Sequence, residues 1–96
     1  MNQKNSEEAG WRGFLDLCVQ TKTLKDFDAL LNLFLTAEER ADLSTRFLIV
    51  RELLKEEKTQ RQIAKDLKVS IAKITRGSNF LKTVPQDLKK WLKEQC

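Results

Sequence analysis

The segment Leu30-Leu31-Asn32-Leu33-Phe34-Leu35 decides most of what this chain can fold into. Five of its six residues are large and apolar, and it ends a stretch, Leu24 to Leu35, that reads as helix. At about 100° per residue these side chains point nearly all the way round the axis. A helix apolar on every side has to be covered on every side. The chain has only 96 residues. That length makes one domain and buries only about 60–65% of the surface exposed by the unfolded form. Such a core is too thin to wrap this helix, so a second copy of the chain is expected to complete it.

The rest of the pattern is helical as well. There is one Pro and there are three Gly, Leu is abundant, and β-branched runs are few, a composition that favours helix. Trp11, Phe14, Leu15, Cys18 and Val19 recur with helical spacing, which predicts a first helix over 6–22. Thr36-Ala37-Glu38-Glu39 reads as a capping box that opens a third helix running to about Lys55. On it Leu43, Phe47, Val50 and Leu54 mark one apolar face, and Ile49 and Leu53 a second, as suits a central helix gripped between two subunits. Thr59-Gln60-Arg61-Gln62 is a second capping box, opening a short helix from about 60 to 67. A turn at Lys68-Val69-Ser70 leads to another helix starting near Ile71. Pro85 fits the first position of a final helix, striped by Leu88, Trp91 and Leu92. The fold class expected is therefore all-α: six helices per chain in an intertwined homodimer. Residues 1–96 form a single domain, with a dimerisation core of 6–58 and 85–96 and a helix-turn-helix at 59–82.

Charge separates the regions. Between Lys58 and Lys82 seven cations stand against Asp66 alone, a net +6, although the whole chain carries only +4. A basic strip on an otherwise mildly acidic chain is the electrostatic footprint of nucleic-acid binding. Enzymatic roles are disfavoured: the chain has no His, the commonest general base and metal ligand, and no nucleophile elbow or phosphate loop. Two cysteines, Cys18 and Cys96, are too few for a zinc site or a disulfide framework. Cys18 reads as a buried thiol on an apolar face. No apolar run reaches the ~20 residues of a membrane span, and the polar start MNQKNSEEAG is unlike a signal peptide. The expectation is a cytoplasmic protein with no metal, no membrane and no catalytic residue.

Residues 60–80 are the most informative. Two short helices joined by a tight turn cross steeply, so the residue at their closest approach has to be small, and Ala64 falls there. Val69 plugs the turn and Ile74 anchors the second helix. Lys73, Thr75, Arg76, Asn79 and Lys82 are then left facing outward, long cations for phosphates and Arg and Asn for base edges. The same apolar pattern also describes a plain helical hairpin, an interaction module with no nucleic acid. The basic strip speaks against that alternative.

The strings LLNLFLTAEERADL (30–43), STRFLIVRELL (44–54) and TQRQIAKDLKVSIAKITRGSNFLK (59–82) closely resemble the tryptophan repressor family. IAKITRGSN at 71–79 is its most distinctive part, and the resemblance runs on through Pro85 and Trp91 and more loosely back to Trp11. It implies a transcriptional repressor: an obligate homodimer that binds L-tryptophan as corepressor, with no other cofactor, and then a palindromic operator in double-stranded DNA. Matched residue by residue, it puts ligand roles on Leu33, Leu35, Thr36, Arg46, Arg76 and Gly77. It puts DNA contacts on Gln60, Arg61, Ile71, Ala72, Lys73, Thr75, Arg76 and Lys82. Under that match the orphan carbonyls ending the second helix suit an ammonium. Arg76, helped by Thr36, pairs with the carboxylate, and the guanidinium planes of Arg46 and Arg76 stack on the indole. The side chains of Leu33 and Leu35 read as core, with any ligand contact made by backbone; capping alone explains Thr36. Arg61 is the candidate for direct readout of guanine. The chain also departs from the family. Phe80 stands where the best-known members have Ser, Lys68 replaces the usual turn Gly, and Ala64 and Lys73 replace other residue types. A regulator of the same fold with a lost or altered corepressor is the alternative that Phe80 supports.

Overall fold

Side-chain caps set where these helices begin. The computed structural model describes residues 3–96, which form six helices and no strand; Met1 and Asn2, the first residues of the polar N-terminal stretch, lie outside the described residues. The helices are α1 (Gln3–Gln20), α2 (Leu24–Phe34), α3 (Ala37–Lys55), α4 (Gln60–Leu67), α5 (Ile71–Thr83) and α6 (Gln86–Gln95). Both capping boxes form. The Thr36 hydroxyl accepts from Glu39 N at 3.0 Å while Glu39 Oε1 accepts from Thr36 N at 2.9 Å. Thr59 accepts from Gln62 N at 3.2 Å, and Gln62 Oε1 accepts from Thr59 N at 2.8 Å. Each box satisfies two backbone donors that a helix start would otherwise leave unpaired.

Four boundaries differ from the sequence pattern, the first being the start of α1 at Gln3 rather than 6. α1 ends at Gln20 rather than 22, because Thr21 turns both its hydroxyl (2.7 Å) and its N–H (3.2 Å) back onto the Cys18 carbonyl. Thr23 then leaves the helical region to cap α2, accepting from Asp26 N. α2 stops at Phe34, with Leu35 extended at φ −102°, ψ 140°. Pro85 is the N-cap of α6 rather than its first helical residue, with ψ at 142°.

Contacts divide the chain into two compact units, Met1–Arg40 and Ala41–Cys96, with the boundary inside α3. In the first unit no described residue is buried. Phe14 packs edge-on against Phe34 with ring centroids 5.4 Å apart, and Trp11 lies 5.9 Å from Phe14. The all-round apolar α2 leaves Leu24 and Leu33 almost bare, and Leu33 at 77% exposure is not core within a single chain. Cys18 is half-buried rather than buried, and both thiols are free.

The second unit holds the core. Ile49 of α3, Ile63 of α4 and Ile74 of α5 meet at its centre, 3%, 0% and 0% exposed, with Leu53, Ala64, Leu67 and Val69 packed around them. Val69 thus plugs the turn as its position suggests, and Ala64 lies against the cluster. α4 ends with Lys68 in the left-handed region (φ 57°, ψ 44°) and Val69 N donating to the Ala64 carbonyl at 3.0 Å. Glycine does this at no steric cost, whereas Lys loses about 1 kcal/mol. Lys58 is tied to Asp66 at 2.8 Å, so the residue before the capping box is fastened to the last turn of α4. The hydrogen bond to Asp66 raises the Lys58 pKa above 10.5. Its contribution is therefore present through neutral pH and is lost as pH rises through that raised value.

Candidate nucleic-acid interface and adjoining cavity

With Ile63 and Ile74 wholly buried, the rotation of α4 and α5 about their own axes is settled, and so is what they present outward. Arg61, Ile71, Ala72, Lys73, Thr75, Arg76, Asn79 and Lys82 are all exposed, and Gln60 is half-buried. The two helices are also joined at this face: the Thr75 hydroxyl lies 3.0 Å from Gln60 Oε1 and 3.1 Å from the Ile71 carbonyl. Ser70 caps α5 by accepting from Lys73 N at 3.3 Å. The N–H groups of Ile71 and Ala72 lie in the first turn, where no intrahelical acceptor exists for them. Ala72, Thr75, Arg76, Asn79, Phe80 and Thr83 line an open depression along the outer side of α5. The arrangement is an exposed, cationic helix edge with hydrogen-bonding tips, and the DNA major groove is wide enough to admit an α-helix.

The other flank of α5 closes a cavity of about 450 Å³. α3 supplies Asp42, Thr45, Arg46, Ile49 and Val50; α5 supplies Lys73, Arg76, Gly77, Phe80 and Leu81; Val84 and Leu92 complete it. Its walls are mostly apolar and its charges are three cations and one carboxylate. Among the described residues no ion pair involves Arg46, Lys73 or Arg76. Arg46 is thus not held in a salt bridge. Gly77 explains how α5 comes so near α3: a Cβ built there would meet Ile49 Cγ2 at 3.1 Å and Leu53 Cδ1 at 3.5 Å.

Of the six residues assigned to the ligand, Arg46, Arg76 and Gly77 line this cavity together. Leu33, Leu35 and Thr36 belong to the first unit and are not among its lining residues. The Thr36 hydroxyl is engaged in capping α3. The nine residues assigned to DNA all lie on α4 and α5, and two serve both surfaces. Lys73 lines the cavity, and Arg76 lines the cavity and the outer depression alike. Sequence reasoning did not assign Asp42, Thr45 or Val50 to the cavity. The available signal was helical spacing: Asp42 and Val50 stand one turn before and after Arg46, on the same face.

The sequence profile of the Trp repressor protein family matches residues 9–96. The Trp operon repressor homolog of Chlamydia trachomatis serovar D is 47% identical over 92 residues, covering 96% of this chain and 98% of the relative. That of Chlamydia caviae is 50% identical over 90 residues, covering 94% and 89%. That of Vibrio vulnificus strain YJ016 is 49% identical over 76 residues, covering 79% and 74%.

The close approach at Gly77 is testable. Ala is the better helix former by up to about 1 kcal/mol. Ile49, however, is buried and β-branched and cannot turn its methyl aside, and overpacking a tight contact costs about 1–3 kcal/mol. Gly77→Ala is expected to lower the unfolding midpoint in urea at fixed chain concentration. A midpoint that rises would show that α3 and α5 are not held this close.

Proposed function

The chain belongs to the Trp repressor protein family, a family of transcription regulators, and from that premise we propose that it is a tryptophan-responsive repressor acting as a homodimer on a palindromic operator. The observation that carries the reading is the double duty of α5. One flank of this helix, with Arg76 and Lys73, borders a cavity suited to an apolar carboxylate; the other presents an exposed cationic edge suited to DNA.

In this reading L-tryptophan lies between α3 and α5. The guanidiniums of Arg46 and Arg76 hold its carboxylate and stack on the indole, against Ile49, Val50 and Leu81. Occupancy fixes the angle at which α5 leaves the core. Arg61 reads a guanine, Ile71 and Ala72 offer N–H groups to a phosphate, and Gln60, Lys73, Thr75, Asn79 and Lys82 line the remaining contact. Helix-turn-helix dimers, Trp repressors among them, are known to read successive major grooves about 34 Å apart. A small tilt of each α5 therefore spoils both half-sites at once. The ligand need favour the competent arrangement by only a few kcal/mol to switch binding.

Exposed apolar surface supports the dimer. Four hydrophobic residues are buried among those described, while Trp11, Leu33, Phe34, Leu43, Phe47 and Trp91 stand half or more exposed. Such surface on a soluble chain marks an interface. Among the described residues no helix is long and apolar enough to cross a membrane.

Phe80 favours a second reading. It lines the cavity and is 64% exposed, so its ring can reshape the site for a different apolar effector.

Two measurements test the proposal. Sedimentation equilibrium at micromolar concentration is expected to give twice the chain mass; a folded monomer contradicts it. Binding to a duplex selected by the protein from a random-sequence pool is expected to tighten with L-tryptophan, and Arg76→Ala to abolish the tightening. With six to ten phosphate contacts, affinity is expected to fall about 10³–10⁵-fold between 50 and 200 mM salt. Tight DNA binding that ignores tryptophan overturns the corepressor role and leaves the second reading; no salt-sensitive DNA binding overturns both.

A further inference from the structure

We propose that Asp42 makes the cavity of the Ala41–Cys96 unit read the ammonium of its ligand, so that it prefers a zwitterionic amino acid to the matching simple acid. This rests on the corepressor reading and adds the charged group that recognises the ligand's nitrogen.

The cavity's charges carry the inference. Arg46, Lys73 and Arg76 are its cations and Asp42 is its one carboxylate. Asp42 and Arg46 stand four residues apart on α3, on one face, a spacing at which acid and cation ordinarily pair. Among the described residues no ion pair joins them. Both charges therefore remain available to whatever occupies the space they border.

Signs then select the occupant. A simple carboxylate satisfies the cations but brings a second negative charge toward Asp42 with nothing to offset it. An α-amino acid carries a positive group beside its carboxylate, so one molecule meets both signs of the wall. The α5 side offers that ammonium no acceptor, since Lys73 and Arg76 repel it and Phe80 presents a hydrocarbon ring. On the α3 side Thr45 contributes a neutral hydroxyl and Asp42 a full charge. A charged acceptor makes the stronger hydrogen bond to an ammonium, so of the groups lining this cavity Asp42 is the one that favours the zwitterion.

Calorimetry on the full chain with L-tryptophan and with indole-3-propionate, which is tryptophan lacking its amino group, tests this. The wild type is expected to prefer tryptophan. Asp42→Asn keeps the shape of an exposed helical residue and is expected to lose about tenfold or more in tryptophan affinity, with indole-3-propionate unchanged or tighter. Asp42→Glu retains the charge and is expected to keep part of the preference. If Asp42→Asn weakens both ligands equally, or neither, the inference falls while wild-type tryptophan binding leaves the corepressor reading standing. A wild type that binds only indole-3-propionate, or neither compound, overturns the inference and the corepressor reading together.

Discussion

Three isoleucines hold the DNA-facing part of this protein in place. Ile49, Ile63 and Ile74 come one each from α3, α4 and α5, and all three are buried. A fully buried side chain fixes the rotation of the short helix that bears it. Burying Ile63 therefore turns Arg61 outward, and burying Ile74 turns Lys73, Thr75 and Arg76 to the surface. Truncating such a residue removes about 2–5 kcal/mol, a large share of the stability of a small domain. Among the described residues Leu54 is the one other buried hydrophobic side chain.

The same packing places the cavity. Gly77 is one turn of α5 beyond Ile74, and its missing side chain lets Ile49 lie against the α5 backbone. Past that contact α3 and α5 diverge, and the opening between them is lined by Arg46 from one helix and Arg76 from the other. Cavity and outer edge are thus adjoining flanks of one helix, with Arg76 and Phe80 at their shared border. In the proposed reading, a ligand in the cavity acts on the DNA edge through α5 itself, with no long chain of intermediates.

Much of this was legible in the residues. Two Thr-x-x-Glu/Gln boxes set the starts of α3 and α4, because their hydrogen bonds are local and made within four residues. Periodicity found Ile63, Ala64, Val69 and Ile74, and the departure at Lys68 correctly marked a left-handed turn residue. What the pattern underrated was non-local. Ile49 sits on the lesser of two apolar faces of α3, and nothing in its neighbours says that α4 and α5 both converge on it. Asp42 reads as an ordinary solvated acid until α5 is laid alongside. The left-handed Glu56 ending α3, at φ 56°, carries no glycine to announce it. Leu33 reads as core, yet at 77% exposure it is not core within this chain.

In the proposed reading the cavity and the DNA edge are two faces of one helix and so share one equilibrium. Linkage makes this a matter of equality: whatever factor tryptophan adds to DNA affinity, DNA must add to tryptophan affinity. The direct measurement is a calorimetric titration of L-tryptophan into the free protein and into its complex with the pool-selected duplex. Tryptophan is expected to bind more tightly in the complex, by the same factor that saturating tryptophan confers on DNA binding. Equal tryptophan affinity with and without DNA would contradict it.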